Sequence, residues 1–382
     1  MGQSLAGPFC ATIMADLGAI VVKVEPPAGD AARGWGPPFI NGDASVFHYM
    51  NRNKACLALD VREADDRAVF DRLITEADVF VHNVRPGAAE RLGIDAATLQ
   101  GLNPALIYGD IAAFGHTGPL AERPGYELAL QAYGGIMSIT GSEEAGSVRA
   151  GPSVNDFGTG MWTAMGVLAA LVRRGATGRG CVIETSLLET AVNWMGLHLA
   201  NYATDGEIPK RMGAAHPLVC PYGAYETADH PIIIATGSDG LFRRLAGALG
   251  HPEWADDARY ATMPERLARR GEVDGMVAAE VAKQPRAFWI DHFAEAGVPC
   301  TPIQDVAQLW VDEQVRALGM LAPPADGAVP LTHLPVSVDG ERPAMHRSPP
   351  TLEAATENAR RAMAAAADKS LFSELFAEKP AG

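Results

Sequence analysis

Through the first two hundred residues, short apolar runs alternate with longer stretches of helical period. Leu5-Ala-Gly-Pro8 leads straight into an apolar helical pattern over 9–17, closed by Gly18 as a C-cap. Residues 19–24 then read as a buried strand ending at Glu25-Pro-Pro. A strand normally precedes such a turn and helix, and there is no room for one before Leu5, so the first strand is expected to be missing. The Gly- and Pro-rich residues 28–48 predict a loop, 55–61 a strand, 65–77 a helix and 78–82 a short buried strand. A helix from about residue 88 and a strand over 105–111 follow, then a helix ending near Gly134-Gly135. The apolar run 161–172 has the composition of a helix buried on most sides. A strand over 181–186 and a second apolar helix over 187–203 complete the pattern.

Strands alternating with helices predict an α/β fold with an open, parallel, Rossmann-like sheet wrapped by helices. Ligands of such sheets bind beyond the carboxyl ends of the strands. Residues 205–221 turn polar and Pro/Gly-bearing, which reads as a linker. A hairpin over 222–236 and helices to about 296 predict a smaller α/β domain over 222–303. The chain is therefore divided into a large domain over 1–204, the linker, the small domain, and a return to the large domain over 304–382. That return holds helices over about 352–366 and close to the end.

Composition narrows the partners. Hydrophobic residues make up 48% and charged residues 20% of the chain, a globular balance. The net charge of −15, with Lys and Arg scattered singly or in pairs, argues against nucleic acid and anionic membranes. The five Cys are far apart without metal-like spacing, so reduced thiols are expected. No charged-then-apolar leader is present and no apolar run reaches about 18 residues, so a cytoplasmic protein is expected.

Candidate chemistry gathers at Gly151-Pro-Ser-Val-Asn-Asp156-Phe-Gly-Thr-Gly160. Asp156 reads either as a cap for the apolar helix or as a candidate nucleophile. In the second reading Gly158 and Gly160 clear space for a large ligand, and the positive end of the helix favours the ionised carboxylate. No GxGxxG, P-loop, G-x-S-x-G or paired-His spacing is present, so neither a dinucleotide nor a metal is signalled. Among the histidines, only His116, in a Gly-flanked loop, stands out. Arg33, Arg62, Arg85, Arg91 and Arg123 could supply positive charge near the strand ends, or could be solvated surface residues.

Several of these segments together resemble the class III (CaiB/BaiF-type) CoA-transferases. They are Leu5-Ala-Gly-Pro8, Val21-Val-Lys-Val-Glu25-Pro-Pro, Asn51-Arg-Asn-Lys54 and Asn83-Val-Arg-Pro-Gly87 with Arg91-Leu-Gly93. Arg123-Pro-Gly-Tyr126, Asp156-Phe-Gly-Thr-Gly160, Thr177-Gly-Arg-Gly180 and Pro221-Tyr-Gly continue the series in order. The resemblance covers residues 5 to about 320. It implies an interlocked homodimer that moves CoA from an acyl-CoA donor to a small carboxylic acid, with coenzyme A itself as substrate and product. It implies Asp156 as the nucleophile, forming a mixed anhydride and then an aspartyl-CoA thioester. Leu59, Arg62, Asn83, Val84, Arg91 and Tyr126 match positions that hold CoA, and Arg33 and Arg85 are candidates for its phosphates.

The chain departs from the family pattern in two places. Leu5 stands where some transferases carry a Gln that positions the oxyanion, so backbone N–H groups or water must serve instead. The long glycine-rich loop of formyl-CoA transferases is absent from the small domain, which disfavours oxalate or formate. The family also includes α-methylacyl-CoA racemases, which carry a His-Asp pair where this chain has Tyr126-Glu127. A phenol is a poor substitute for imidazole as a base, so transfer is favoured over racemisation. A catalytically silent CoA-binding protein is the remaining alternative.

Overall fold

The computed structural model describes residues 1–327, 329–365 and 369–376. Residue 366, at the end of the helix expected over 352–366, and residues 377–382 lie outside the described residues. The chain divides into two units: Met1–Met137, Arg149–Ile208 and Gln314–Gly382 in the first, Ser138–Val148 and Pro209–Glu313 in the second. The hairpin-bearing segment 138–148, read from sequence as part of the large domain, thus belongs with the smaller unit.

The first unit is α/β with parallel strands. Strand β1 (Val21–Glu25) pairs parallel with β2 (Lys54–Ala58), Val21 opposite Lys54 and Glu25 opposite Ala58. Strands β3 (Val79–His82), β4 (Ile107–Ala112) and β5 (Val182–Ser186) form a second parallel sheet in that order. Two short parallel sheets stand where the sequence predicts one open sheet. Val21 and Val22 of β1 and Val79 and Val81 of β3 line one cavity of about 480 Å³, where the Met1 amine also donates to the Val81 carbonyl at 2.9 Å. Periodicity along the chain marks which segments are strands but not which of them pair, which is why it suggests one continuous sheet. Between β2 and β3, the helix α2 (Ala64–Glu76) buries Val69, Phe70, Leu73 and Ile74, a one-sided stripe at helical spacing. β2 is buried at all five positions although β1 is its one strand partner among the described residues.

Charged residues inside this unit are ion-paired or hydrogen-bonded. Lys23 meets Asp30 at 2.7 Å and Arg52 meets Asp16 at 2.7 Å. Lys54 Nζ donates to the Pro8 and Met50 carbonyls, and burial lowers its pKa well below the ordinary lysine value. The side chains of Asn51-Arg-Asn-Lys54 therefore turn inward and pin α1 (Ala6–Asp16) and the chain around them.

Helix α3 (Glu127–Tyr133) precedes the long helix α4 (Val154–Thr177). α4 runs well beyond the apolar run 161–172 at both ends, because Gly158 and Gly160 are places of close approach rather than helix ends. A Cβ on Gly158 would lie 2.7 Å from Trp194, and one on Gly160 would lie 2.8 Å from the Ala6 carbonyl oxygen of α1. The expectation that α4 is buried on most sides is corrected. One face, including Thr159, Thr163, Val167 and Ala170, is buried, whereas Met161, Trp162, Met165, Leu168 and Val172 are exposed. The helix expected over 187–203 is broken at Met195 into α5 (Leu187–Trp194) and α6 (Gly196–Asp205).

In the second unit, β6 (Tyr222–Tyr225), β7 (Ile232–Ala235) and β8 (Cys300–Pro302) form an antiparallel sheet. Helices α7 (Asp239–Ala248), α8 (Arg270–Val281) and α9 (Arg286–Glu295) cover it around a core of Ile232, Ile234, Leu245, Val277, Trp289 and Phe293. No helix among the described residues is long and apolar enough to cross a membrane.

Candidate active site

Asp156 is the third residue of α4, inside its first turn. It is therefore not the residue before the helix, as the apolar run suggested; Ser153 holds the N-cap position and makes no side-chain cap bond. The cap comes from another helix. The Asn155 N–H donates to Glu127 Oε1 at 3.2 Å and the Asp156 N–H to Glu127 Oε2 at 2.8 Å. Glu127 is buried, and its Oε1 also accepts from Gln131 Nε2 at 2.6 Å, one turn along α3. Gln131 Oε1 in turn accepts from the Ala150 N–H at 2.8 Å, fixing the segment that leads into α4. Rings close the other side of the first turn, where Phe157 packs edge-on to Phe9 at 4.8 Å.

This arrangement reverses the electrostatic expectation for Asp156. Its carboxyl pKa is pushed up to about 7, by burial first and by the Glu127 charge second. The helix terminus favours an anion in general, but here the orphan N–H groups nearest Asp156 are already taken by Glu127. The missing side chains of Gly158 and Gly160 make room for Trp194 and α1, not for a ligand. Near neutral pH the Asp156 carboxyl is thus divided between its two protonation states. Replacing Glu127 by Gln removes the neighbouring charge and keeps the shape. Asp156 is then expected to titrate lower, moving the acid limb of activity to lower pH. A pH–rate profile of Glu127→Gln that superimposes on that of the natural chain would contradict this electrostatic account.

Sequence reasoning considered Glu127 only as a counterpart of the racemase pair. The signal that could have found it is the Glu127–Gln131 spacing, which puts two hydrogen-bonding side chains on one helix face. His116 lies apart from this network, 3.7 Å from Asp110 Oδ2 and 4.0 Å from Glu184 Oε1, among the strands β4 and β5.

The candidate CoA contacts are dispersed along the carboxyl ends of the strands. Asn83 follows β3, and its amide makes a two-way pair with the backbone of Gln3. Val84 is half-buried, while Arg85 and Arg91 are exposed. Leu59 is buried, so only its backbone could face a ligand, and its N–H already donates to the Glu25 carbonyl. Arg62 is exposed and paired with Asp60 at 2.6 Å. Tyr126 is 68% exposed at the N-cap of α3. Arg33 is corrected as a phosphate contact. Its guanidinium is buried, gripped by Glu25 at 2.6 Å and Asp43 at 2.7 Å, and stacked 3.9 Å from the Phe47 ring centre. The stretch 28–48, expected as a loop, holds the helical turn Ala31–Gly34 and the start of the helix Ser45–Asn51, and these ion pairs tie that turn to β1 with the head group facing inward. Among the described residues, no cluster of three or more His, Cys, Asp or Glu is placed to hold a metal.

Comparison with known proteins gives a consistent picture. The family model described as CoA-transferase family III matches residues 1–356. An acetyl-CoA:oxalate CoA-transferase of Acetobacter aceti is 36% identical, over 88% of this chain and 86% of that protein. A succinate–glutarate CoA-transferase of Agrobacterium fabrum is 37% identical, over 84% of this chain and 82% of that protein. A crystal structure of a CaiB/BaiF family protein from Brucella suis superimposes with a TM-score of 0.85 at 36% identity, covering 95% of this chain and 97% of that one. Oxalate, which the departures in sequence disfavoured, is in the name of one of these relatives.

Proposed function

The chain belongs to CoA-transferase family III, and from that premise we propose that it transfers CoA by covalent catalysis on Asp156. A carboxylate oxygen of Asp156 attacks the thioester carbon of the donor, the C–S bond breaks, and a mixed anhydride and CoA thiolate result. The thiolate attacks the aspartyl carbonyl carbon, the donor acid leaves as carboxylate, and an aspartyl-CoA thioester remains. The acceptor carboxylate attacks that carbonyl and releases thiolate, giving a second anhydride. Thiolate attack on the acceptor's acyl carbon then yields the new acyl-CoA and regenerates the Asp156 carboxylate. No net proton is consumed, and two moderate steps replace each direct exchange.

The observation that carries this reading is the setting of Asp156. Burial and Glu127 destabilise its charged form, whereas the anhydride and the thioester are neutral at the same atoms. The site thus favours acylation of this carboxylate over leaving it free. Arg62, Asn83, Val84, Arg91, Tyr126 and the Leu59 backbone hold the nucleotide and pantetheine of CoA, and Arg85 meets its phosphates. The acids of the transfer are dicarboxylates, the class to which oxalate, succinate and glutarate in the relatives' names belong. We also infer a homodimer acting in the cytoplasm, in which a second copy covers Met161, Trp162, Met165, Leu168 and Val172.

The test is to incubate the protein with acetyl-, propionyl-, butyryl- and succinyl-CoA, trap with hydroxylamine, and map the modified peptide by mass spectrometry. A hydroxamate on the Asp156 peptide is expected, absent from Asp156→Ala. Modification that persists in Asp156→Ala, or α-proton exchange in deuterated water without any CoA transfer, would overturn the mechanism.

A further inference from the structure

We propose that Arg149 is a specificity-determining residue whose guanidinium receives the distal carboxylate of a dicarboxylic acid while the proximal carboxyl group is joined to Asp156. This rests on the transferase reading above and adds a chain-specific reason for the preferred acid class.

Charge sets the need. Asp156 and Glu127 already place two carboxyl groups at the start of α4, and an acid substrate brings one or two more. A second carboxylate on the substrate approaches this centre unfavourably unless a cation meets it. Arg149 is an exposed side chain on the segment that enters α4, seven residues ahead of Asp156. Its Nη2 donates to the Gly151 carbonyl at 2.6 Å, so the head group folds back along the chain in the direction of the helix. That is its one hydrogen bond among the described residues, and no carboxylate pairs with it. Arg33 and Arg52 of this unit are buried in ion pairs, and Arg62 and Arg174 are paired with Asp60 and Asp78. Arg85, Arg91 and Arg123 are exposed as Arg149 is, but none of them lies on the segment that enters α4.

Position is the second support. Ala150, next to Arg149, is bound to Gln131, and Gln131 is bound to Glu127, which holds the Asp156 backbone. One buried pair of side chains on α3 therefore fixes both the nucleophile and the root of the cation. A fixed separation between an attacking carboxylate and a planar, fork-shaped cation can select for a second carboxylate at a set distance.

Steady-state transfer from one acyl-CoA donor to glutarate or to valerate, an acid of equal chain length with one carboxylate, tests the assignment. In Arg149→Gln, KM for glutarate is expected to rise by about 10- to 100-fold with kcat changed by no more than about twofold, and the valerate constants to stay the same. Arg149→Lys is expected to recover part of the glutarate KM, because the charge is retained and the fork is lost. Equal losses with both acids would mean a structural role and overturn the proposal, as would unchanged glutarate kinetics or a glutarate-specific loss in Arg123→Gln instead. A natural chain that transfers CoA to valerate and not to glutarate overturns this inference alone. One that transfers to neither overturns the transferase reading beneath it.

Discussion

Asp156→Asn is expected to lower kcat for CoA transfer by about 10⁴-fold or more, because the amide cannot form the anhydride, and at the same time to stabilise the protein above neutral pH. The stability effect follows from the same burial that equips the site. In the unfolded chain an aspartate titrates at about 4. In the folded chain burial and the Glu127 charge push Asp156 up to about 7. The folded state therefore binds this proton more tightly than the unfolded state. That preference favours folding fully below about pH 4 and is lost progressively as pH rises from about 4 to about 7. Above that window the folded protein carries a carboxylate in a site that disfavours it, at a cost of up to about 4 kcal/mol, less as far as water reaches the half-buried group. An amide is never charged, so the variant avoids that cost. Denaturant unfolding of both proteins at pH 5 and pH 8 should show Asp156→Asn gaining on the natural chain at the higher pH. A difference that is the same at both pH values would refute the electrostatic account, and retained turnover would refute the nucleophile.

The second large effect is expected at Gly160. Its absent Cβ is the space into which the backbone of α1 fits, with the Ala6 carbonyl oxygen 2.8 Å and the Cys10 nitrogen 3.1 Å from where that carbon would be. Backbone atoms of a packed helix cannot turn aside as a flexible side chain can. Gly160→Val therefore has to separate α1 from α4, with an expected loss of about 3 kcal/mol or more, well beyond the small gain in helix propensity on replacing glycine. Separation would also move Phe9 away from Phe157, the residue after Asp156. Thermal unfolding and transfer activity should fall together. A stable and active Gly160→Val would show that the two helices are not in the tight contact described. Gly175→Ala is the internal control, since nothing lies within contact distance of the added carbon and only the propensity gain remains.

Much of the architecture was legible because burial leaves a periodic trace. The one-sided α2 shows it directly, as does the alternation of strands and helices that predicts parallel pairing. The ordered series of short motifs was enough to name the family, which the match over residues 1–356 shows. Local reading failed where a residue's role is set by something distant in sequence. Gly158 and Gly160 looked like clearance for a ligand and are clearance for Trp194 and α1. Arg33 looked like a free cation at a strand end and is locked between Glu25 and Asp43.

The site shows the same division. Sequence by itself determined most of the elements, the family to which they belong, and Asp156 at the start of a helix as the candidate nucleophile. Only the tertiary structure decided how that carboxyl behaves. Glu127, 29 residues earlier in the chain, takes the N–H groups that would have stabilised the anion, so the helix terminus does not lower the Asp156 pKa and burial raises it. Periodicity is a property of neighbours along the chain. Desolvation and hydrogen-bond competition depend on which groups meet in space, and no local pattern records that meeting.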